Sequence, residues 1–176
     1  MSTIVTHRPS TEDDVPRITE IYAHYVRSTI STFELDPPTV EEIARRRSEI
    51  LAKGLPYLVA EANGVVVGYA YASSYRPRPA YRFTVEDSIY IHHEHQRKGI
   101  GRLLLAAVIE ACESGGFRQM VAVISGSEGS VGLHEKFGFQ HAGGLRSAGW
   151  KFGTWIDIVM MQRSLGMGDS AAPVER

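Results

Sequence analysis

The chain has 176 residues, of which 43% are hydrophobic and 22% are charged, and its formal net charge is −1. These values are ordinary for one domain with a full hydrophobic core, and they exclude the strong basic excess that nucleic acids or membrane surfaces require. No apolar stretch approaches the roughly 20 residues of a membrane span, and no signal-peptide pattern stands at the N-terminus. The single Cys112 excludes an internal disulfide and a cysteine metal cluster. We therefore expect a cytoplasmic protein.

Two helices are predicted near the N-terminus, after a short strand over Ile4–Arg8. The apolar residues of the first helix recur at helical spacing. They are Val15, Ile18, Tyr22 and Tyr25. After a loop rich in serine and threonine, the second helix begins with Thr39 and Glu42, which have the spacing of a capping box, and it ends at Gly54.

A β-hairpin follows, and it is the clearest local pattern in the chain. Tyr57–Ala62 and Val65–Ser74 are apolar, β-branched runs, and the Asn63-Gly64 pair between them is a type I′ turn signal. A loop with the sequence RPRP, residues 76–79, then leads to a long predicted strand, Phe83–Ile91.

The second half of the chain continues the alternation of helices and strands. The predicted elements are a helix from Gly101 to about Ser114, a strand over Met120–Ile124, a helix over Ser130–Phe137, and strands near Leu145–Trp150 and Thr154–Met161. This order predicts an α/β (α+β) fold with a mixed, mostly antiparallel, twisted sheet and helices on both faces. We expect one domain over residues 1–165 and a flexible tail over residues 166–176.

The segment Gln96–Gly101, with the sequence QRKGIG, carries most of the functional information. It joins a strand to a helix, so free backbone N–H groups and the positive end of the helix dipole meet there and make an anion site. The predicted cofactor-binding residues are Gln96, Arg97, Lys98, Gly99, Ile100, Gly101 and Arg102. A nucleotide site is an alternative, but the segment fits neither the P-loop nor the dinucleotide fingerprint.

This segment resembles the cofactor motif of the GNAT superfamily of acyl-CoA-dependent N-acyltransferases, Gln/Arg-x-x-Gly-x-Gly/Ala. A second superfamily element follows at the expected distance in Leu133–Phe139, with the sequence LHEKFGF. The resemblance implies the GNAT fold with a splayed central strand pair, acetyl-CoA as co-substrate, and no metal. It implies that backbone N–H groups of Arg97–Arg102 hold the pyrophosphate and that the Ile91 N–H faces the thioester oxygen. His92 and Ser130 join the cofactor-binding set.

One departure from the superfamily pattern lies just before the second element. Relatives usually carry an asparagine there that helps to hold the pantetheine arm, whereas this chain has SGSEGS over residues 125–130. The residue that replaces the asparagine is left open, with Ser127 as one candidate.

A narrower resemblance, to the phosphinothricin and methionine sulfoximine N-acetyltransferases, covers nearly the whole chain. The matching stretches are Ser31–Glu34 before Pro37, Arg76–Tyr81, Thr84–Ile91, Val121–Ile124 and Leu145–Lys151. This resemblance implies a small, anionic, amino-acid-like amine as substrate and detoxification by acetylation, as in herbicide resistance. It also implies a homodimer with the pocket near its interface.

Glu86 is the candidate general base, a role that the resemblance also implies. It shares one strand face with Ser88 and Tyr90, and a carboxylate among apolar neighbours has a raised pKa that suits proton abstraction, directly or through a water. His134 is the candidate acid at the departing thiolate, and Tyr90 is a competing donor. The alternatives are a solvated carboxylate, a structural histidine and a core tyrosine.

Arg78 and Arg76 are the candidate ligands of a substrate anion, because a guanidinium pairs with two oxygens of a carboxylate or phosphinate. Tyr81 and Phe33 are expected to line the acceptor pocket with Ser88. The alternatives are a stiff, exposed loop for the arginines and ordinary core positions for the aromatic residues.

Two other patterns receive structural interpretations. His92-His93-x-His95 resembles a metal-binding run, but consecutive residues at a strand end point in different directions and no second ligand cluster is apparent. We therefore expect a polar loop and no metal. Cys112 falls on the apolar stripe of its helix and is expected in the core.

These observations predict an enzyme that transfers an acetyl group from acetyl-CoA to the α-amine of a small molecule, with no nucleic-acid or membrane partner. Two alternatives remain open. The first is acetylation of a protein N-terminus or a ribosomal-protein alanine, against which the two-arginine loop argues because a peptide needs an open groove. The second is a non-catalytic acyl-CoA sensor, against which Glu86 argues.

Overall fold

The computed structural model describes residues 4–126 and 128–174. The elements in chain order are β1 (Val5–Pro9), α1 (Val15–Ser28), α2 (Val40–Ala52), β2 (Tyr57–Ala62), β3 (Val65–Ser74), β4 (Thr84–Ile91), α3 (Ile100–Ser114), β5 (Gln119–Ser125), α4 (Glu128–Lys136), β6 (Gln140–Lys151) and β7 (Thr154–Ser164). The predicted hairpin strands, β2 and β3, have the bounds that the sequence predicted.

The strands form one seven-stranded sheet with the order β1-β2-β3-β4-β5-β7-β6. Every neighbouring pair is antiparallel except β4 and β5, which are parallel and joined by α3. A parallel pair needs a crossover of this kind, whereas the other pairs need none. The predicted mixed, mostly antiparallel sheet is confirmed.

Two hydrophobic clusters flank the sheet, one on each face. The cluster under α3 includes Leu104, Leu105 and Cys112, all fully buried. The cluster under α1 and α2 includes Ile18 and Tyr69. Burial of a leucine or isoleucine contributes about 1.5–3 kcal/mol, so these helices stay on the sheet because of their apolar stripes. Helices on both faces and a core position for Cys112 are thereby confirmed.

Local signals explain several element boundaries. At the start of α2 the Thr39 hydroxyl accepts from the Glu42 N–H at 3.2 Å. The Glu42 carboxylate pairs with Arg45 and Arg46 instead of returning to the cap, so only one half of the predicted capping box forms. Between β2 and β3, Asn63 and Gly64 both have left-handed φ angles, 52° and 77°, as a type I′ turn requires.

The long hairpin of β6 and β7 departs from the prediction, because β6 begins at Gln140 and not near Leu145. The register shifts between His141 and Gly143 and again between Leu145 and Gly149, which interrupts the two-residue alternation. Gly144 is required by close approach, since a Cβ there would lie 2.7 Å from the carbonyl oxygen of Ile158. Most of β6 is exposed and it forms one edge of the sheet.

After β7 the chain folds back towards β5. The Arg118 guanidinium donates to the carbonyls of Gly168 and Ala172 at 3.4 and 3.1 Å. The flexibility expected for residues 166–176 stays a prediction, and its last two residues lie outside the described part. None of the described helices has both the length and the apolar content needed to cross a bilayer.

Candidate active site

The sheet forks at Glu86. β4 and β5 pair only through Thr84 with Gln119, Val85 with Met120 and Glu86 with Val121. Beyond Glu86 the two strands separate, and a cavity of about 1030 Å³ opens between them. The second half of β4, the end of β5, the start of α3 and one face of α4 line this cavity. The fork is the splayed strand pair that the superfamily resemblance implied.

The anion site lies at one end of the cavity. Arg97 and Gly99 have left-handed φ angles of 60° and 82°, and α3 begins at Ile100. Consecutive N–H groups in such a turn form a concave nest for an anion at the positive end of the helix dipole. A Cβ on Gly101 would lie 3.3 Å from the Leu133 side chain, so a glycine there lets α3 and α4 pack closely beside the nest.

Tyr25 of α1 reaches the open edge of β4. Its hydroxyl donates to the Ile91 carbonyl at 2.8 Å and accepts from the Ile91 N–H at 3.1 Å, and it also accepts from Gln96 Nε2 at 3.3 Å. The N–H expected to face a thioester oxygen is therefore already bonded within the chain. The backbone groups of successive residues in a strand point to opposite edges. The His92 N–H bonds to β3, so the backbone groups of Ile91, and those of Ile89 two residues earlier, point to the other, open edge of β4.

Glu86 lies at the point of the fork, on the face of β4 that bears Ser88 and Tyr90. Its carboxylate is half-buried. Burial raises the pKa of Glu86, and the neighbouring charge of Asp87 raises it further. A carboxylate with a raised pKa binds a proton more strongly, which is the property a general base needs near neutral pH.

Tyr90 belongs to a cluster of tyrosine rings. It meets Tyr22 and Tyr25 edge-on, with ring centroids 5.0 and 5.1 Å apart, and stacks on Tyr69 at 5.2 Å. Burial raises the pKa of the Tyr90 hydroxyl well above its ordinary value. Tyr90 also lines the cavity.

His134 of α4 is buried and holds two hydrogen-bond partners. Nε2 lies 3.0 Å from Asp87 Oδ2, and Nδ1 lies 2.7 Å from the Ser130 carbonyl oxygen. Burial alone lowers the pKa of His134, but the hydrogen bond and charge of Asp87 more than offset this and raise it. A carbonyl only accepts, so Nδ1 donates to Ser130, and the raised pKa of His134 favours its doubly protonated form beside Asp87. Asp87 Oδ1 is buried, and no described residue is its hydrogen-bond partner.

The loop after α1 forms another wall of the cavity and carries Phe33. The buried Lys151 ammonium donates to the Thr32 carbonyl at 2.8 Å, and the Ser125 hydroxyl donates to the Ile30 carbonyl at 2.6 Å. A Cβ on Gly149 would lie 2.9 Å from the Phe33 ring, so this glycine lets the ring lie flat on β6. The loop is thus fixed from both β5 and β6.

The structure does not bring every predicted residue to the cavity wall. Glu86, Ser88, Tyr90, His134, Phe33, Ile91, Ser130 and most of the glycine turn line it, whereas His92 and Lys98 do not. Arg76, Arg78 and Tyr81 are exposed on the β3–β4 loop and also lie outside its lining. Tyr81 packs edge-on against Tyr75 with ring centroids 5.5 Å apart. Ser127 lies outside the described residues.

With this geometry, the chain was compared with known proteins. The acetyltransferase (GNAT) family matches residues 18–139. The chain belongs to this family. Phosphinothricin N-acetyltransferase of Alcaligenes faecalis is 51% identical over 170 residues, which span 96% of this chain and 86% of that protein. L-methionine sulfoximine/L-methionine sulfone acetyltransferase of Salmonella typhimurium is 39% identical, over 96% of this chain and 98% of that protein.

Among solved structures, the chain is similar to a GNAT superfamily phosphinothricin acetyltransferase from Sinorhizobium meliloti in complex with AcCoA. The TM-score is 0.95 and the sequence identity 45%, and the match covers 97% of this chain and 94% of that one. These similarities confirm the predicted GNAT fold and N-acetyltransferase class, with acetyl-CoA as co-substrate. Acetyl transfer in this family needs no metal.

Sequence reasoning missed several residues of this GNAT site. Asp87, Tyr25 and Lys151 act through contacts with residues distant in sequence, and no local pattern marks them. Asp87 was the easiest to find, since it directly follows Glu86. The sequence also predicted that consecutive side chains of the histidine run point in different directions. This prediction was wrong for His92 and His93, because their ligand atoms and that of Glu94 all lie within 4.8 Å of one another.

Proposed function

We propose that this protein transfers the acetyl group of acetyl-CoA to the α-amine of a small, anionic, amino-acid-like compound of the phosphinothricin or methionine sulfoximine type, and so detoxifies it. The observation that carries the proposal is Glu86, a carboxylate with a raised pKa at the fork, in the cavity that ends at the anion nest. The names of the relatives support the substrate class.

The cofactor end of the reaction relies on backbone groups. The N–H groups of Arg97–Arg102 bind the pyrophosphate, and the arginine side chains of this segment add positive charge. The pantetheine arm lies in the fork along the open edge of β4, where the backbone groups of Ile89 and Ile91 point. This position brings the thioester carbon close to Glu86.

Glu86 accepts a proton from the substrate ammonium, directly or through a water. The amine nitrogen then attacks the thioester carbon, a C–N bond forms, the C–S bond breaks, and the thiolate leaves. The nitrogen loses a second proton as the amide forms, and this proton balances the one that the thiolate takes up. General-base catalysis of this kind contributes typically about 10²–10⁴-fold. The pKa of an ammonium group is much higher than that of an ordinary carboxylate. A raised pKa of the base narrows this gap and makes transfer of the proton to Glu86 less unfavourable.

The departing thiolate takes a proton from the enzyme or a hydrogen bond in its place. Tyr90 lines the cavity, and its raised pKa keeps the proton on its hydroxyl. Both ring nitrogens of His134 are already engaged, one by Asp87 and the other by the Ser130 carbonyl. Donation from His134 therefore requires that its bond to Asp87 be shared or broken, so Tyr90 is the more accessible donor of the two.

The acceptor end recognises the anion of the substrate. Arg78 and Arg76 supply guanidinium groups from the β3–β4 loop, which meets the sheet at Thr84, two residues before Glu86. Phe33 and Tyr81 contribute aromatic surface. Because the arginines are exposed in one chain, the acceptor pocket is completed at the interface with a second chain.

This interface is the exposed face of the β6–β7 hairpin. Leu145, Trp150, Phe152 and Trp155 are each 56–61% exposed, and β6 is a twelve-residue edge strand. A long, apolar sheet edge of this kind pairs readily with another chain. We infer a cytoplasmic homodimer, which light scattering coupled to size-exclusion chromatography tests directly.

A thiol-release assay with acetyl-CoA tests the function. The acceptor panel holds phosphinothricin, methionine sulfoximine, methionine sulfone, common amino acids and a peptide that begins with alanine. We expect turnover of the first three compounds. Turnover of the peptide alone contradicts the proposal and favours the protein acetyltransferase alternative, whereas acetyl-CoA binding with no acceptor turned over favours the sensor. Thermal protection by acetyl-CoA but not by ATP or NAD excludes the nucleotide alternative.

A further inference from the structure

A cluster of imidazole rings lies where α1 meets the 3-10 turn His93–His95, which follows β4. The His93 ring stacks on His24 of α1, with centroids 4.4 Å apart, and on His92, with centroids 4.3 Å apart. None of these three residues lines the cavity. The proposed chemistry of acetyl transfer uses none of them.

The donor atoms of this cluster converge. Those of His92, His93 and Glu94 all lie within 4.8 Å of one another. In a tetrahedral Zn²⁺ site, with ligand distances of about 2.0–2.2 Å, neighbouring donor atoms lie about 3.3–3.5 Å apart. His93 and Glu94 are exposed, so rotation of their side chains closes this difference without backbone movement. The His24 ring lies beside this group, stacked on His93, and rotation of its side chain would bring a fourth donor from a different element.

The electrostatic surroundings suit a metal with nitrogen ligands. Of the nearby cations, Arg17 is paired with Glu20 at 2.7 Å, and Lys98 donates to the Glu94 carbonyl at 2.8 Å. Imidazoles with one carboxylate are a donor set for Zn²⁺, Ni²⁺ or Cu²⁺, whereas Mg²⁺ and Ca²⁺ prefer oxygen ligands.

We propose that His24, His92, His93 and Glu94 form a binding site for a transition-metal dication such as Zn²⁺, separate from the acetyl-transfer site. The ion takes no part in the transfer. Because the 3-10 turn leads directly into Gln96 and the anion nest, a bound ion ties this entrance to α1 and adds positive charge near the pyrophosphate site. Binding of the ion and of acetyl-CoA therefore strengthen each other, since such coupling is reciprocal.

Calorimetric titration of the full-length, tag-free protein with zinc chloride tests the site. We expect one ion per chain for zinc and no binding heat for magnesium chloride. His93→Gln and His24→Gln each weaken zinc binding by about tenfold or more. His7→Gln, on exposed β1, is the matched control and leaves zinc binding unchanged. Absence of zinc binding, or zinc binding that persists unchanged in both cluster variants, overturns the proposal.

Titration of acetyl-CoA with and without zinc tests the coupling. We expect zinc to lower the Kd for acetyl-CoA several-fold in the natural protein and to have a smaller effect in His93→Gln. The variant also corrects for zinc that binds the phosphates of acetyl-CoA in solution. An equal zinc effect in both proteins overturns the coupling. Neither titration measures acetyl transfer, so failure of the metal site and failure of the proposed function are distinguishable.

Discussion

Replacement of Asp87 by asparagine tests whether the buried contact with His134 is an ion pair. The two side chains are only 2% and 4% exposed, and Oδ2 of Asp87 lies 3.0 Å from Nε2 of His134. Asparagine keeps the shape of the side chain and a hydrogen-bonding oxygen but removes the charge. Any effect that depends on pH then reports on the charged form of the imidazole.

The sign of the pH effect follows from the raised pKa of His134. Protonation is stronger in the folded chain than in the unfolded chain, where histidine has a pKa of about 6.5. The pair therefore stabilises the fold fully below that pH, and this contribution is lost as the pH rises through the raised value. In Asp87→Asn only burial and the Ser130 carbonyl remain, so protonation of His134 at acid pH becomes unfavourable.

A hydrogen bond to a charged group contributes about 1.5–3 kcal/mol, against about 0.5–1.5 kcal/mol for a neutral one. We expect Asp87→Asn to lower the free energy of unfolding by about 1.5–3 kcal/mol near pH 5.5, and by less, about 1 kcal/mol, near pH 9, because the contribution of the charged imidazole is lost as the pH rises through its raised pKa. For a chain of this size, 2 kcal/mol corresponds to a fall in Tm of about 4–8 °C.

Urea unfolding at both pH values measures this difference. Asp169→Asn, on an exposed turn after β7, is the matched control, and we expect it to stay within about 0.5 kcal/mol of the natural protein at both pH values. A loss in Asp87→Asn that is equal at the two pH values, or larger at the alkaline one, would refute the ion pair.

Three further predictions concern the cavity and the acceptor. Glu86→Gln lowers kcat/KM by about 10²-fold or more. It also abolishes the rise in activity with pH, because in the natural protein this rise follows ionisation of Glu86 above the ordinary carboxylate range. An unchanged pH profile contradicts the role of Glu86 as base. Tyr25→Phe removes the hydroxyl that accepts a hydrogen bond from the Ile91 N–H. Calorimetry is therefore expected to show acetyl-CoA binding that is several-fold tighter, together with a lower Tm. Weaker acetyl-CoA binding shows instead that this hydroxyl holds the cofactor. Arg78→Ala raises KM for the amino-acid substrate by about 10–100-fold, as loss of a charged hydrogen bond implies, and leaves KM for acetyl-CoA unchanged; a rise in KM for acetyl-CoA alone places Arg78 at the cofactor instead.

Features that depend on neighbouring residues were predictable from the sequence. The Asn63-Gly64 turn fixes the β2–β3 hairpin, and the glycines of QRKGIG mark the strand-to-helix turn with its left-handed angle at Gly99. The start of β6 was not predictable, because two register shifts around glycines break the alternation on which strand prediction relies. Periodicity identifies an element only where its backbone is regular.

The contacts that complete the site link residues far apart in the chain. His134 lies 47 positions from Asp87, Ile91 lies 66 positions from Tyr25, and Lys151 lies 119 positions from Thr32. Each partner is an ordinary residue in its local context, and only the folded sheet brings the two together. Glu86 was predictable as a candidate base from its strand, but the contact of its neighbour Asp87 with His134 was not.

Glu86 and Asp87 are consecutive residues of β4, so their side chains lie on opposite faces of the strand. Glu86 lies on the face of Ser88 and Tyr90, whereas Asp87 lies with Val85 and Ile89 on the face that packs against α3 and α4. The Asp87 charge nevertheless raises the pKa of Glu86, and the His134 imidazolium partly offsets that charge. We therefore expect the His134–Asp87 pair to influence the strength of the base from the opposite face of the sheet. Burial, the larger cause of the raised pKa of Glu86, remains in Asp87→Asn, but the second cause, the Asp87 charge, is removed. The rise of activity with pH should therefore begin at somewhat lower pH in this variant while the base itself remains in place.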